Sequence, residues 1–273
     1  MNTPQKKQTE LSKSIRVVIL VLGTGGIGKT FFARLLVEYL QVQVKKWEVP
    51  LNIYDADETA KADLSRFFPI VDTCRLVTRE DITGLFNKVR SSTGITVVDV
   101  KADQQEQFRL SRTFSPSSIT AMSRAGCKVV ACIPVSNGKA SSIGTALDWF
   151  SILGPDCRYL LVENEVCGPI RPDGADLEKF LEQAKPFHFR LPKLEEEIAR
   201  ELDARDVNVL SLLHAAGYES TEVSPTLEPE PSFESDFGLS LSSPFNVPLV
   251  QELWETFLQE ADKTIPKLLD IAP

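Results

Sequence analysis

From Ile15 onward the chain alternates short apolar runs with longer amphipathic stretches. The runs lie at 16–22, 51–54, 96–100, 128–133, 158–162 and 187–191. Most are rich in Val, Ile and Leu without polar alternation, the pattern of strands covered on both faces. Between them, segments 30–44, 79–89, 104–112, 118–124, 141–153, 176–183 and 194–202 have helical length and spacing. Strand–helix alternation predicts parallel strands joined by crossover helices. The expected fold class is therefore three-layer α/β: a mostly parallel, twisted sheet with helices on both faces. No internal repeat is present.

The ends read differently. Residues 1–14 are polar, with no apolar period, and predict a disordered tail. Residues 15–215 form the expected main domain. From Asp206 to Asp262 there is no Lys or Arg, and 216–245 holds Glu219, Glu222, Glu228, Glu230, Glu234 and Asp236 among Pro225, Pro229 and Pro231. That is the composition of an acidic, solvated linker. In 246–273, Val250, Leu253, Trp254, Phe257, Leu258 and Ala261 recur at helical spacing. Glu252, Glu255, Glu260 and Asp262 share the same helix. An anionic lipid surface repels such a helix, so no membrane anchor is expected. Docking on its own domain is the simpler account; a partner's groove is the other.

Composition narrows the function classes. Of 273 residues, 42% are hydrophobic and 25% charged, enough apolar content for a sizeable core. The net charge of -8 argues against a protein that coats nucleic acid with its whole surface. Cys74, Cys127, Cys132, Cys157 and Cys167 form no CxxC pair, a poor disulfide framework and the usage of a reducing, cytoplasmic setting.

The most informative segment is Gly23, Thr24, Gly25, Gly26, Ile27, Gly28, Lys29, Thr30 and Phe31, between an apolar run and an amphipathic stretch. It satisfies G-x-x-x-x-G-K-[ST] in the strand–loop–helix context the motif requires. The bare pattern arises by chance in about 1% of chains of this length, from average residue frequencies. Glycines let backbone N–H groups approach phosphate oxygens, and the following helix adds a positive dipole end. Lys29 is placed to reach the terminal phosphates and Thr30 to ligate Mg²⁺. Two strand ends then offer carboxylates: Asp55 and Asp57 after 51–54, and Asp99 in Val-Val-Asp, a Walker-B-like ending. An Asp after a strand is often only a turn or cap residue. Following a phosphate loop, both sites gain weight as metal or water-positioning groups.

Gly-Gly-Ile-Gly-Lys-Thr, then Asp-Ala-Asp, then Val-Val-Asp resembles the ParA/MinD group of P-loop ATPases, the deviant Walker-A proteins of plasmid partition, division placement and conjugative transfer. The TraL-like transfer branch is the nearest in pattern. The resemblance covers residues 15 to about 213. It implies ATP and Mg²⁺ as cofactors, with Lys29 and the Gly25–Thr30 backbone on phosphate. Thr30, Asp55 and Asp99 would serve the metal, Asp57 would position the attacking water, and Lys29, Asp57 and Asp99 would form the catalytic set. Asn164 and Pro192 match the places where the family flanks the base; as a plain turn residue Asn164 needs no such role. The resemblance also implies a nucleotide-dependent homodimer, a protein partner or cargo, and nonspecific DNA binding.

One departure matters. The group's extra lysine follows the first glycine of the loop, and here that position is Thr24. A hydroxyl cannot supply an ammonium's charge stabilisation. Either hydrolysis is slow, another cation substitutes, or the chain binds nucleotide with little turnover. Lys101 and Arg34 are the candidate substitutes, although spacing argues for neither. The loop also resembles that of STAND/NB-ARC ATPases, whose long helical modules have no room here.

Other chemistry has little support. His188 and His214 have no partners at metal-ligand spacing, and no Gly-x-Ser-x-Gly elbow occurs. Arg109, Arg112, Arg124 and Lys128 form a locally basic stretch, read first as a solvated face and second as a DNA patch. The expected function is a slowly hydrolysing ATP switch. The alternatives are a hydrolysis-deficient adaptor scaffolding a larger complex, and a small-molecule kinase or ligase requiring a second-substrate pocket.

Overall fold

The computed structural model describes residues 15–56, 64–68, 70–139, 141–164, 175–193, 202, 208–215 and 246–271. Their strands are β1 (Arg16–Val21), β2 (Leu51–Ala56), β3 (Asp72–Thr73), β4 (Gly94–Val100), β5 (Lys128–Val135), β6 (Arg158–Asn164) and β7 (Phe187–Leu191). Their helices are α1 (Lys29–Trp47), α2 (Arg79–Ser91), α3 (Gln105–Ser111), α4 (Pro116–Arg124), α5 (Ser141–Leu153), α6 (Ala175–Ala184), α7 (Val209–Ala215) and α8 (Asn246–Leu269). The tail 1–14, the expected helix 194–202 except Leu202, and the acidic segment 216–245 lie outside the described residues.

The strands form one parallel sheet in the order β3-β2-β4-β1-β5-β6-β7. The apolar runs of β1, β4, β5 and β6 lack alternation because these strands are covered on both faces. Val17, Ile19 and Val21 of β1 pack with Phe32, Leu35 and Leu36 of α1. Val18, Leu20 and Leu22 face the opposite layer, with Ile82 of α2, Phe108 of α3 and Trp149 of α5. The fold is thus three-layer α/β. β1 is the point where the chain's crossovers change direction: the first runs from β1 towards β2, and a later one from β4 passes to β5 on its other side. Ligand crevices open at the carboxyl ends of strands at such a point.

The last helix belongs to the core of this domain. Val250, Leu253, Trp254, Phe257, Ala261 and Ile265 of α8 are buried in the cluster that includes α1. The Phe257 ring meets Tyr39 of α1 and Phe189 of β7, with centroids 6.5 and 5.3 Å away. Tyr39 Oη donates to Asp262 Oδ1 (2.9 Å). At the helix end, where carbonyls lack intrahelical partners, Lys128 Nζ donates to the Leu269 carbonyl (2.9 Å) and Arg158 Nη1 to that of Leu268 (2.7 Å). Among the described residues no helix is long and apolar enough to cross a membrane.

Candidate functional site

The site grows from the end of β1. After Leu22 the chain turns through Gly23, Gly26 and Gly28 at φ of 150, 74 and 82°, then enters α1 at Lys29. Gly28 occupies the N-cap with no side-chain cap, which leaves the first-turn N–H groups of α1 for another acceptor. A side chain at Gly28 would strain the backbone, and its Cβ would stand 2.7 Å from Asn164 Nδ2. Ile27 is buried beneath the loop. Thr24 is buried too, and its hydroxyl finds no hydrogen-bond partner.

Sheet register brings the carboxylates together. Asp99 of β4 lies opposite Val21 of β1 on one side and Asp55 of β2 on the other. Asp99 shares the strand face of Val97 and Ile95, the face that α1 covers. Lys29, the first residue of α1, therefore meets it: Lys29 Nζ donates to Asp99 Oδ1, with the two side chains 5% and 0% exposed. An ammonium buried this deeply requires a partner of opposite charge. Asp55 is buried as well, and its Oδ2 accepts from the Ser65 N–H (3.1 Å). This ties the carboxylate to the 3-10 turn Leu64–Arg66. Asp57 lies outside the described residues.

The other flank is formed by β6 and β7. β6 runs to Asn164, whose Nδ2 donates to the Ile27 carbonyl (2.9 Å). Leu191 is its register partner, with Cδ2 3.7 Å from the Cβ position of Gly28, and half-buried Pro192 comes next. Thr30 and Phe31 are half-buried in the first turn of α1. The structure thus gathers Gly23 to Phe31, Asp55, Asp99, Asn164 and Pro192 at the carboxyl edge of one sheet.

Neither candidate substitute cation has a hydrogen bond to the loop among the described contacts. Arg34 is buried with its guanidinium 3.5 Å over the Phe67 ring, near Glu38. Lys101 lines a pocket of about 230 Å³ with Ala56, Leu76, Val77, Gln104 and Gln107. Among the described residues, a cation from outside the loop that touches it is Lys139, whose Nζ donates to the Gly25 carbonyl. Sequence reasoning missed it. The one available signal was its position just beyond the apolar run that becomes β5.

Of the basic stretch, Arg109 pairs with Asp148 (2.7 Å) and Lys128 with Asp270 (3.2 Å). His188 Nδ1 lies 2.8 Å from Glu163. No group of three or more His, Cys, Asp or Glu side chains that could hold a metal occurs among the described residues. Burial pushes the Cys74 thiol up to about 11, and Cys127, Cys132 and Cys157 upward as well, which keeps them from being thiolates.

No protein-family model matches the chain, and no curated protein does. Among solved structures it is similar to FlhF complexed with GMPPNP/Mg²⁺, with 13% identity over 69% of this chain and 75% of that one (TM-score 0.38). It is similar to chloroplast FtsY from Physcomitrella patens at 12% identity, covering 70% and 68% (TM-score 0.39). A third is Helicobacter pylori HypB in complex with nickel, at 10% identity, covering 81% and 96% (TM-score 0.37). The fold class rests on the sheet and the loop themselves.

Proposed function

We propose that this chain is a Mg²⁺-dependent nucleoside-triphosphate switch, with ATP as its nucleotide. The observation that carries this reading is the buried Lys29–Asp99 pair at the foot of a glycine loop, with Asp55 in register beside it. The residues fit the ligand: the orphaned Thr24 hydroxyl and the uncapped start of α1 suit a phosphate group. Lys29 would exchange the Asp99 carboxylate for phosphate oxygens. Asp99 and Thr30 would then hold Mg²⁺, and Asp55 would act on it through water. The metal would neutralise charge on the terminal phosphates. A cation of this kind keeps several waters and phosphate oxygens as ligands, so an all-protein cage is not required.

Asp55 couples the site to the chain beyond β2. Its carboxylate accepts from Ser65, so a change at Asp55 moves the backbone of the 3-10 turn. That is the local step of an order-changing switch. Asp57 would position the attacking water, and Asn164 and Pro192 would flank the base. The output would be self-association or binding of a partner complex, in DNA or plasmid maintenance, conjugative transfer or placement of an assembly, as the ParA/MinD resemblance implies.

The test is sedimentation of the full chain with and without Mg·ATP, paired with phosphate release. A nucleotide-linked change in size or partner affinity, with turnover lost in Asp57→Ala, supports the switch. Binding with negligible turnover in the parent supports the adaptor that Thr24 suggests. Unchanged size and partner affinity in the presence of bound nucleotide would remove the switch.

A further inference from the structure

The loop after β5 is built to hold one residue in place. Ser142 is fully buried and Ser136 nearly so. Ser142 Oγ accepts from the Ser136 N–H (3.1 Å) and donates to the Lys139 carbonyl (2.7 Å). That carbonyl also accepts the Ser142 N–H (2.9 Å), and the Lys139 N–H donates to the Ser136 carbonyl (3.1 Å). Both backbone polar groups of Lys139 are fixed, while its side chain is exposed.

Strand order decides where that side chain lies. β5 is the direct neighbour of β1, with Cys132 opposite Val21, and the Leu22 N–H donates to the Cys132 carbonyl (2.9 Å). The loops leaving the two strands therefore emerge side by side. Lys139 Nζ donates to the Gly25 carbonyl and lies 3.9 Å from where a Cβ on Gly26 would stand. Among the described residues no carboxylate pairs with it. Lys29 is the opposite case, buried and already neutralised by Asp99. A carbonyl offers an exposed ammonium only a partial charge, whereas a phosphate oxygen carries a full negative charge, so that both partners of the hydrogen bond are then ionised.

The loop also has a direction. Its Gly28 end lies against Asn164 and Leu191, whereas the Gly25 Cβ position is 3.7 Å from Ala102, just beyond Asp99. With the base flanked by Asn164 and Pro192 as proposed above, the terminal phosphate would lie towards the other end of the loop, the Gly25 end, where Lys139 sits.

We propose that Lys139 is a second phosphate-binding cation of this loop, supplied by the same chain, which engages the terminal phosphate of a nucleoside triphosphate from the Gly25–Gly26 side. This rests on the nucleotide reading above. The ammonium exchanges the Gly25 carbonyl for a phosphate oxygen, and no covalent bond changes. Because the side chain already lies at the loop, little ordering entropy opposes the exchange. The consequence is selectivity: Lys139 favours triphosphate over diphosphate.

The experiment is equilibrium titration of the full chain with Mg·ADP and with the non-hydrolysable Mg·AMPPNP. The parent is compared with Lys139→Ala and Lys139→Arg. Lys139→Ala is expected to weaken AMPPNP binding about tenfold and ADP binding less than about twofold, as for loss of one charged hydrogen bond. Lys139→Arg keeps most of the preference. An equal loss for both nucleotides, or no loss, overturns the role of Lys139 and leaves the nucleotide reading standing. Failure of the parent to bind either nucleotide overturns both.

Discussion

Replacing Asp99 by Asn tests the chemistry at the foot of the loop before any ligand is added. In the parent, the Lys29 ammonium is 5% exposed and donates to a carboxylate that is itself 0% exposed. Asp99→Asn keeps shape and an acceptor oxygen but leaves a buried positive charge facing a neutral amide. Removing one partner of a buried pair costs about 3–5 kcal/mol, and the retained acceptor points to the lower end, about 3 kcal/mol. In a domain of this size each kcal/mol moves Tm by about 2–4 °C, so the expected fall is about 6–12 °C. Lys29→Met removes the positive partner instead and is expected to cost a similar amount. The double variant Lys29→Met/Asp99→Asn removes both charges of the pair and should recover much of the loss, giving a coupling of at least about 2 kcal/mol. Thermal and urea unfolding of the nucleotide-free proteins read all four corners of the cycle. Single variants within about 1 kcal/mol of the parent, adding without coupling, would mean that the pair does not hold the foot of the loop.

The same structure dictates three other outcomes. Glu38 of α1 is buried and accepts from the N–H groups of Val209 (3.1 Å) and Leu210 (2.7 Å), while burial pushes its carboxyl from an ordinary 4.5 up to about 7. The folded chain thus holds this proton more tightly than the unfolded one, so stability falls as pH rises from 4.5 to 7, by about 3 kcal/mol. Glu38→Gln should flatten that fall in urea titrations at pH 4.5 and 8, and parallel profiles would contradict it. Gly28→Ala forces an L-residue to φ 82° and pushes Asn164 off the Ile27 carbonyl. The expected cost is about 2–3 kcal/mol in unfolding, with weakened nucleotide binding; unchanged affinity would contradict the loop geometry. Phe257→Ala in α8 removes a buried ring shared with Tyr39 and Phe189 and should cost about 3–5 kcal/mol. A loss below about 1 kcal/mol would mean that α8 is not part of the core.

What could be read from the chain was what is local. Val-Val-Asp99 is legible because a strand buried on both faces is mostly apolar, and its one acid stands one residue before the strand end. The loop is legible because glycine, lysine and threonine each have a distinct task at fixed spacing. β3 has only two residues, too few for any period to show. α7 is short, and its first N–H groups are held by Glu38 from 171 residues away. The docking of α8 depends on Tyr39, 223 residues from Asp262. Lys139 reaches Gly25 across 114 residues, because β5 happens to neighbour β1. Arg34, a candidate cation by proximity in sequence, is carried by the helix turn onto Phe67 instead.

On the proposed reading, this loop binds a magnesium–nucleoside triphosphate through Lys29. Calorimetric titration of the full chain with Mg·ATP, with Mg·GTP alongside and Lys29→Ala as control, tests it most directly. Saturable binding of Mg·ATP at one site per chain is expected, tighter than Mg·GTP and lost in Lys29→Ala. A parent that takes up neither nucleotide, or a Lys29→Ala variant that binds as well as the parent, would contradict it.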